Sequence, residues 1–409
     1  MKKHYIGFVE EHLFREKTKD ADEGFIKQSL HSARHMSDEW TTNPEQKPET
    51  SLDIEFLKKE VGQRFPFYDM RFNADTAIFF CRIDESSQED AFDSLRVSLS
   101  EKGYIPMLRY EKGEHIIYVL KKPKIKKKPV WINIVLFIAT VFTTTLAGSL
   151  QWVGIDNVDW MKIFSPFYLW NGFIFFSIPL MLILGVHEMG HYYASRKHHV
   201  DASLPYFIPL PPPFILGTFG AIISTREPIP NRKTLLDIGV SGPVCGFLVA
   251  IPIVFLGFFL MQQHPIISST PDSLTLASLV MPSLLIQGIQ SFFAISQNAV
   301  IHPTLFAGLV GVFLTAVNLL PIGQLDGGHV ARAFFKEKHK YASWAVIGVL
   351  LILGMLYTGW LMFAFIVLFL IGTQHQPPLN ESDMLDSKRK LLGVIILIVF
   401  IVSFAPIPF

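Results

Sequence analysis

Residues 167–195 form an apolar run long enough to cross a bilayer, and near its end stand five residues of another kind, HEMGH at 187–191. A run of about 20 apolar residues matches the hydrocarbon thickness as a helix, the form that satisfies every backbone polar group from within. On that helix His187 and His191 are four apart and share one face, a spacing that can clasp one zinc ion. Glu188 lies beside them, where it can take a proton from a water activated by the ion. Ionisable groups at such depth are expensive and mark functional sites. The combination points to peptide hydrolysis within or at the edge of a membrane.

Half of the 409 residues are hydrophobic and 17% are charged, and the apolar excess falls after residue 129. The expected fold is therefore a polytopic α-helical membrane protein of about seven spans, preceded by a small soluble α/β domain. Residues 1–50 read as a flexible polar segment with a short helix near 5–15. Residues 51–120 read as a small cytoplasmic α/β domain in the order α-β-β-α-β-β. Its helices are expected at 52–63 and 86–102. Its strands are YDMRF and TAIFFCRI across a turn at 73–75, then IPMLRY and HIIYVL around 111–114. No catalytic cluster lies there, so a regulatory partner or self-association is the expected role. Residues 121–129 form a polybasic linker, with Lys121, Lys122, Lys124, Lys126, Lys127 and Lys128, which reads as an anchor to anionic lipid. The basic residues hug the spans, which argues against nucleic-acid binding. Cys81 and Cys245 fall in different regions, so no disulfide is expected.

Spans are expected at 130–150, 167–195, 234–261, 304–325, 342–357, 360–373 and 391–408, with the membrane domain occupying 130–409. The polylysine is set on the cytoplasmic side and the spans alternate. The inner loops then carry Arg196, Lys197, Arg226, Arg232, Lys233, Arg332, Lys336, Lys338, Lys340, Lys388, Arg389 and Lys390, and the outer loops only Lys162. That asymmetry obeys the positive-inside rule and leaves the C-terminus outside. The apolar stretch 277–293 would reverse it if it crossed, so it reads as an interfacial or re-entrant outer segment.

A catalytic zinc takes three protein ligands and keeps a fourth position open. With Arg196 marking the inner interface, His191 and His187 lie about 7 and 14 Å deep. Asp326, in NLLPIGQLDGGH at 318–329, ends another span. It would lie about 9 Å from Arg332 if that stretch is roughly helical. It is the candidate third ligand. Pro321 should loosen the helix, and Gly327 with Gly328 permits close backbone approach. Asn318 is a candidate donor to a tetrahedral oxyanion, or else an interhelical polar contact.

HEMGH together with NLLPIGQLDGG resembles the site-2 protease family of intramembrane zinc metalloproteases. The resemblance covers about 165–335. It implies His187, His191 and Asp326 as ligands of one zinc per chain, Glu188 as catalytic base and Asn318 in a substrate or transition-state role. GTFGAIIS (217–224), DIGVSGPVCG (237–246) and HQPPLN (375–380), with the soluble N-terminal domain, resemble the EGY-like plastid and bacterial branch. The N-terminal residues carry no transit-peptide pattern, so a bacterial plasma membrane is expected.

A substrate helix must be unwound before it is cut, and pairing it to a strand edge is one way. The segment 217–225, with Gly217, Thr218, Phe219 and Gly220, is a candidate re-entrant strand or hairpin that receives the substrate; an ordinary packed loop is the alternative. Asp237 is expected to pair with Arg232 or Lys233, or to bond backbone near the distortion at Gly239 and Gly242–Pro243, and His198 and His199 to face solvent in an inner loop. His329 sits either beside Asp326 or at the interface. The expected partners are a membrane-anchored protein substrate and the bilayer. A metal transporter or a non-hydrolytic chaperone is the competing class. Neither needs a base next to a ligand, as Glu188 is.

Overall fold

The computed structural model describes residues 52–83, 88–111, 113–122, 128–153, 160–212, 214–265, 275–276, 279 and 282–405. The expectations for 1–50 and for Lys124, Lys126 and Lys127 lie outside the described residues. The chain divides into two units. One holds the residues up to 126 together with Leu379–Asp383, and the other holds 127–378 and 384–409.

In the first unit, α1 (Ile54–Arg64) precedes β1 (Phe67–Phe72) and β2 (Thr76–Cys81). Then come α2 (Gln88–Glu101), β3 (Tyr104–Glu111) and β4 (Glu114–Lys121). The strands form one antiparallel sheet in the order β1-β2-β4-β3, with Phe79 opposite Ile117 and Ile117 opposite Leu108. The first turn is an Asx turn in which Asn73 Oδ1 accepts from the backbone N–H of Asp75 and Thr76 at 3.1 and 2.8 Å. Leu57 and Val61 of α1 and Phe92, Leu95 and Leu99 of α2 pack with Phe79, Ile117 and Val119 in a closed core. Leu379 joins that core from the far end of the sequence. Its carbonyl accepts from Leu108 N–H at 2.9 Å and from Arg109 Nη1 at 2.8 Å. A boundary at 120 thus omits Leu379–Asp383, which belongs with the sheet.

In the second unit, among the described residues, three helices are long and apolar enough to cross a membrane. They are α3 (Trp131–Val153), α4 (Pro166–Lys197) and α5 (Arg232–Gln263). Shorter helices follow: α6 (Leu284–Gln290), α7 (Pro303–Asn318), α8 (Asp326–Phe335), α9 (His339–Leu353), α10 (Thr358–Ile366, continued by a π turn) and α11 (Ser387–Ser403). At seven residues α6 is about 10 Å long, far short of a crossing.

α4 contains a π bulge at Phe173–Ser177. Thr304 of α7 donates to the Phe175 carbonyl there at 2.8 Å, which ties the two helices. α7 is buried on nearly every side. It packs on α5 so closely that a Cβ at Gly257 would sit 2.4 Å from Leu305 Cα, and on α4 where Gly311 meets Ile183. Between α4 and α5 a two-stranded antiparallel sheet forms from β5 (Tyr206–Pro209) and β6 (Thr218–Ile222).

Three expectations are corrected. The span set at 304–325 is not continuous helix: α7 ends at Asn318 and α8 begins at Asp326. Pro321 has no N–H to continue the ladder, and the chain doubles back. It does so tightly enough that a Cβ at Gly327 would fall 2.0 Å from the Leu319 carbonyl oxygen. Asp237 pairs with neither Arg232 nor Lys233. Its Oδ1 accepts from Arg389 Nε of α11 at 2.9 Å, and its Oδ2 lies 3.0 Å from His198 Nε2. His198 is thereby engaged and not a free loop residue. Arg232 turns to α8, where Nε donates to the Ala333 carbonyl at 2.9 Å, a cation at a helix C-terminus.

Candidate metal centre

The two histidines come from one helix and the aspartate from the start of another. His187, Glu188 and His191 lie on α4 and are all buried. α5 crosses α4 with glycines facing the rings. A Cβ at Gly242 would stand 2.1 Å from His191 Nε2, and one at Gly246 would stand 3.1 Å from His187 Nδ1. Any larger residue at 242 would occupy the space of the imidazole.

Asp326 opens α8, so its carboxylate leaves the chain where the backbone turns from α7 into α8. Its Oδ2 is 3.3 Å from His187 Nε2 and its Oδ1 3.2 Å from His191 Nε2. The two Nε2 atoms are themselves 3.2 Å apart. Among the described residues these three side chains form a group whose donor atoms could hold a metal ion.

The hydrogen bonding tells which atoms carry lone pairs. His191 Nδ1 lies 2.8 Å from the backbone carbonyl oxygen of Ile238, which can only accept. Nδ1 therefore carries the proton, and in the neutral ring Nε2 presents its lone pair to the carboxylate and to the other imidazole. Acceptors facing acceptors in a buried site call for a cation between them. Tetrahedral ligands at about 2.0–2.1 Å from zinc stand about 3.3 Å from one another. The separations of 3.2, 3.2 and 3.3 Å match that figure. The residues fit a zinc ion.

Glu188 makes no hydrogen bond or ion pair among the described residues, although it is buried between the two histidines in sequence. Asn318, the last residue of α7, brings its side-chain Nδ2 to 3.5 Å from His187 Nε2. All five residues singled out in the sequence thus come from one neighbourhood. Gly217 precedes β6 and Thr218–Gly220 form its start, with Thr218 buried and Phe219 69% exposed. Its partner β5, in the proline-rich stretch before it, gave no strand signal in the sequence.

One neighbour was left undecided by sequence reasoning. His329, on the first turn of α8, hydrogen-bonds His375 of the HQPPLN stretch. The only clue was the repeat of histidine near each end of an apolar region, which is too common to assign a contact.

The sequence profile of Peptidase family M50 matches residues 175–356. Over 298 residues the chain is 28% identical to "Probable zinc metalloprotease EGY1, chloroplastic" of Arabidopsis thaliana, covering 68% of this chain and 53% of that protein. Over 302 residues it is 26% identical to "Probable zinc metalloprotease EGY2, chloroplastic" of Oryza sativa subsp. indica, covering 70% and 52%. The chain spans about half the length of these curated relatives. No solved structure matches it.

Proposed function

We propose that this chain, which belongs to peptidase family M50 and to its EGY-like site-2 protease branch, is an intramembrane zinc endopeptidase. It hydrolyses peptide bonds of membrane-anchored proteins near the cytoplasmic side of the bilayer, in regulated intramembrane proteolysis or membrane quality control. The observation that carries this reading is the triangle of buried donors, His187, His191 and Asp326, at tetrahedral spacing.

These three residues hold the zinc, which when bound polarises a scissile carbonyl and brings the pKa of a water toward neutrality. Glu188 accepts the proton and returns it to the leaving amine. Its lack of other partners among the described residues supports that role. Asn318 donates to the developing oxyanion, and its approach to His187 supports this. Gly217, Thr218, Phe219 and Gly220 receive the substrate as an added strand, with Phe219 as an apolar contact. The two-stranded sheet that ends at β6 supports it.

The helices α3, α4, α5, α7, α9, α10 and α11 make seven crossings, with the N-terminal domain cytoplasmic and the C-terminus outside. The one-sided placement of lysine and arginine supports this orientation. The relatives named above are chloroplastic. The domain at 51–120 engages a regulatory partner or a second copy. A transporter or a chaperone is disfavoured by the family and by Glu188.

Comparative membrane proteomics of cells carrying the wild type or Glu188→Gln tests the reading. Accumulation of uncut single-span proteins in the variant is the expected result. Identical profiles from two chains of equal zinc content overturn it.

A further inference from the structure

The start of α8 carries Asp326, yet the residue preceding it, Leu325, offers no side chain to cap the helix. Something else must hold that first turn in place. Two contacts are available. One is α5: a Cβ at Gly239 would fall 2.7 Å from His329 Cβ and 3.2 Å from the Asp326 carbonyl oxygen, so the turn lies directly on the α5 backbone. Ile238, the residue before Gly239, is the one whose carbonyl orients His191. The same two residues of α5 therefore set the position of both halves of the donor triangle.

The second contact is His375. Its Nδ1 lies 2.6 Å from the Gln376 carbonyl oxygen and so carries a proton. Its Nε2 then holds a lone pair, and it meets His329 Nδ1, which must be the donor. The two rings stand edge to face at 4.6 Å between centroids, and the His375 ring centroid is 6.1 Å from that of His339. His339 Nδ1 lies 3.0 Å from the Lys336 carbonyl oxygen, to which it donates just past the end of α8. His375 thus bonds His329 on the first turn of α8 and stands near His339, which follows its last turn. It is 7% exposed, and burying a polar ring is costly unless its hydrogen bonds are made. Each bond here is fixed in direction by a single carbonyl, so the pair has one tautomer and one ring orientation.

We propose that His375 is a positioning residue for the metal centre: its Nε2 accepts from His329 Nδ1 and holds the first turn of α8 against Gly239, with the Asp326 carboxylate aimed at the two imidazoles. Asp326 and His329 are three apart and share one side of α8, so a rotation that releases the His329 ring also swings the carboxylate. This inference rests on the reading of Asp326 as a zinc ligand.

The test is zinc affinity by chelator competition on the full chain in detergent, for the wild type, His375→Leu, His329→Leu and His375→Gln. Each leucine removes the bond from one side, whereas glutamine keeps an acceptor for His329. The expected result is a zinc Kd raised roughly 10-fold in both leucine variants, the low end for residues that support metal ligands, with His375→Gln restored to near the wild-type value. Leucine variants that bind zinc as tightly as the wild type, or a glutamine variant as weak as a folded leucine variant, overturn the positioning role. Should neither leucine variant fold, His375→Gln decides: near-wild-type affinity supports the role, and a roughly 10-fold loss overturns it. A wild type that takes up no zinc defeats instead the reading of the centre itself.

Discussion

His191 and Ile238 meet across the seam of two spans, with the imidazole Nδ1 2.8 Å from the backbone carbonyl oxygen. A carbonyl on α5 thus fixes the tautomer of a ring on α4 and aims its Nε2 lone pair at Asp326 on α8. Three segments far apart in sequence are coupled through one hydrogen bond, and the consequences can be checked.

The close approach that allows this bond is made at Gly242. An added methyl would lie 2.1 Å from His191 Nε2, so Gly242→Ala must push the ring out of place or separate the helices. We expect a destabilisation of about 1–3 kcal/mol and loss of bound zinc. Gly185→Ala, on the same helix as the histidines but with nothing within 4 Å of an added Cβ, should leave both unchanged. Metal analysis with thermal unfolding in detergent distinguishes them.

Asp237 gathers Arg389 and His198, drawing together the starts of α5 and α11 and the end of α4. The pair is only about a quarter exposed on each side, at 24% and 22%. Arg389→Met should therefore cost about 1–2 kcal/mol, seen as a lower melting temperature. An unchanged melting temperature would mean that this latch contributes nothing.

Burial in the first unit pushes the Cys81 thiol up to about 12. The folded state therefore keeps its proton where an unfolded chain would release it near pH 8.5. Above that pH the unfolded state binds fewer protons, so this group makes stability fall as pH rises. The thiol should also resist alkylation at pH 8 in the native protein and react once the chain is denatured. Mass spectrometry of iodoacetamide-treated protein reads this directly.

Much of this was legible in the sequence, and the parts that were not share a cause. The strands of the small domain stand within two residues of their expected bounds, because alternation along TAIFFC and HIIYVL records one buried face. The long spans were equally plain, since an apolar run leaves a helix as its only membrane-compatible form. Asp237 was assigned to basic residues four and five positions away, whereas its partner is 152 residues distant. The bridge from Asn380 to the sheet at Leu108, with the Leu379 carbonyl as acceptor, was invisible for the same reason. Local pattern carries period and punctuation but no record of which distant segment arrives. The donor triangle was readable because HEMGH and LDGG each announce a metal ligand, while the break at 319–325 that aims Asp326 depends on how the turn folds.

Phe219, exposed at the start of β6, tests the substrate strand. Phe219→Ala should raise KM more than it lowers kcat for a membrane-anchored reporter while zinc content stays unchanged. Equal KM values would remove Phe219 from substrate binding.

The most direct test of the whole account is the zinc content of the purified full chain beside Asp326→Ala and Glu188→Gln. The account predicts one zinc per chain in the wild type and in Glu188→Gln, and little or none in Asp326→Ala. Full zinc occupancy in Asp326→Ala would contradict it, because α8 would then contribute no ligand to the histidines of α4.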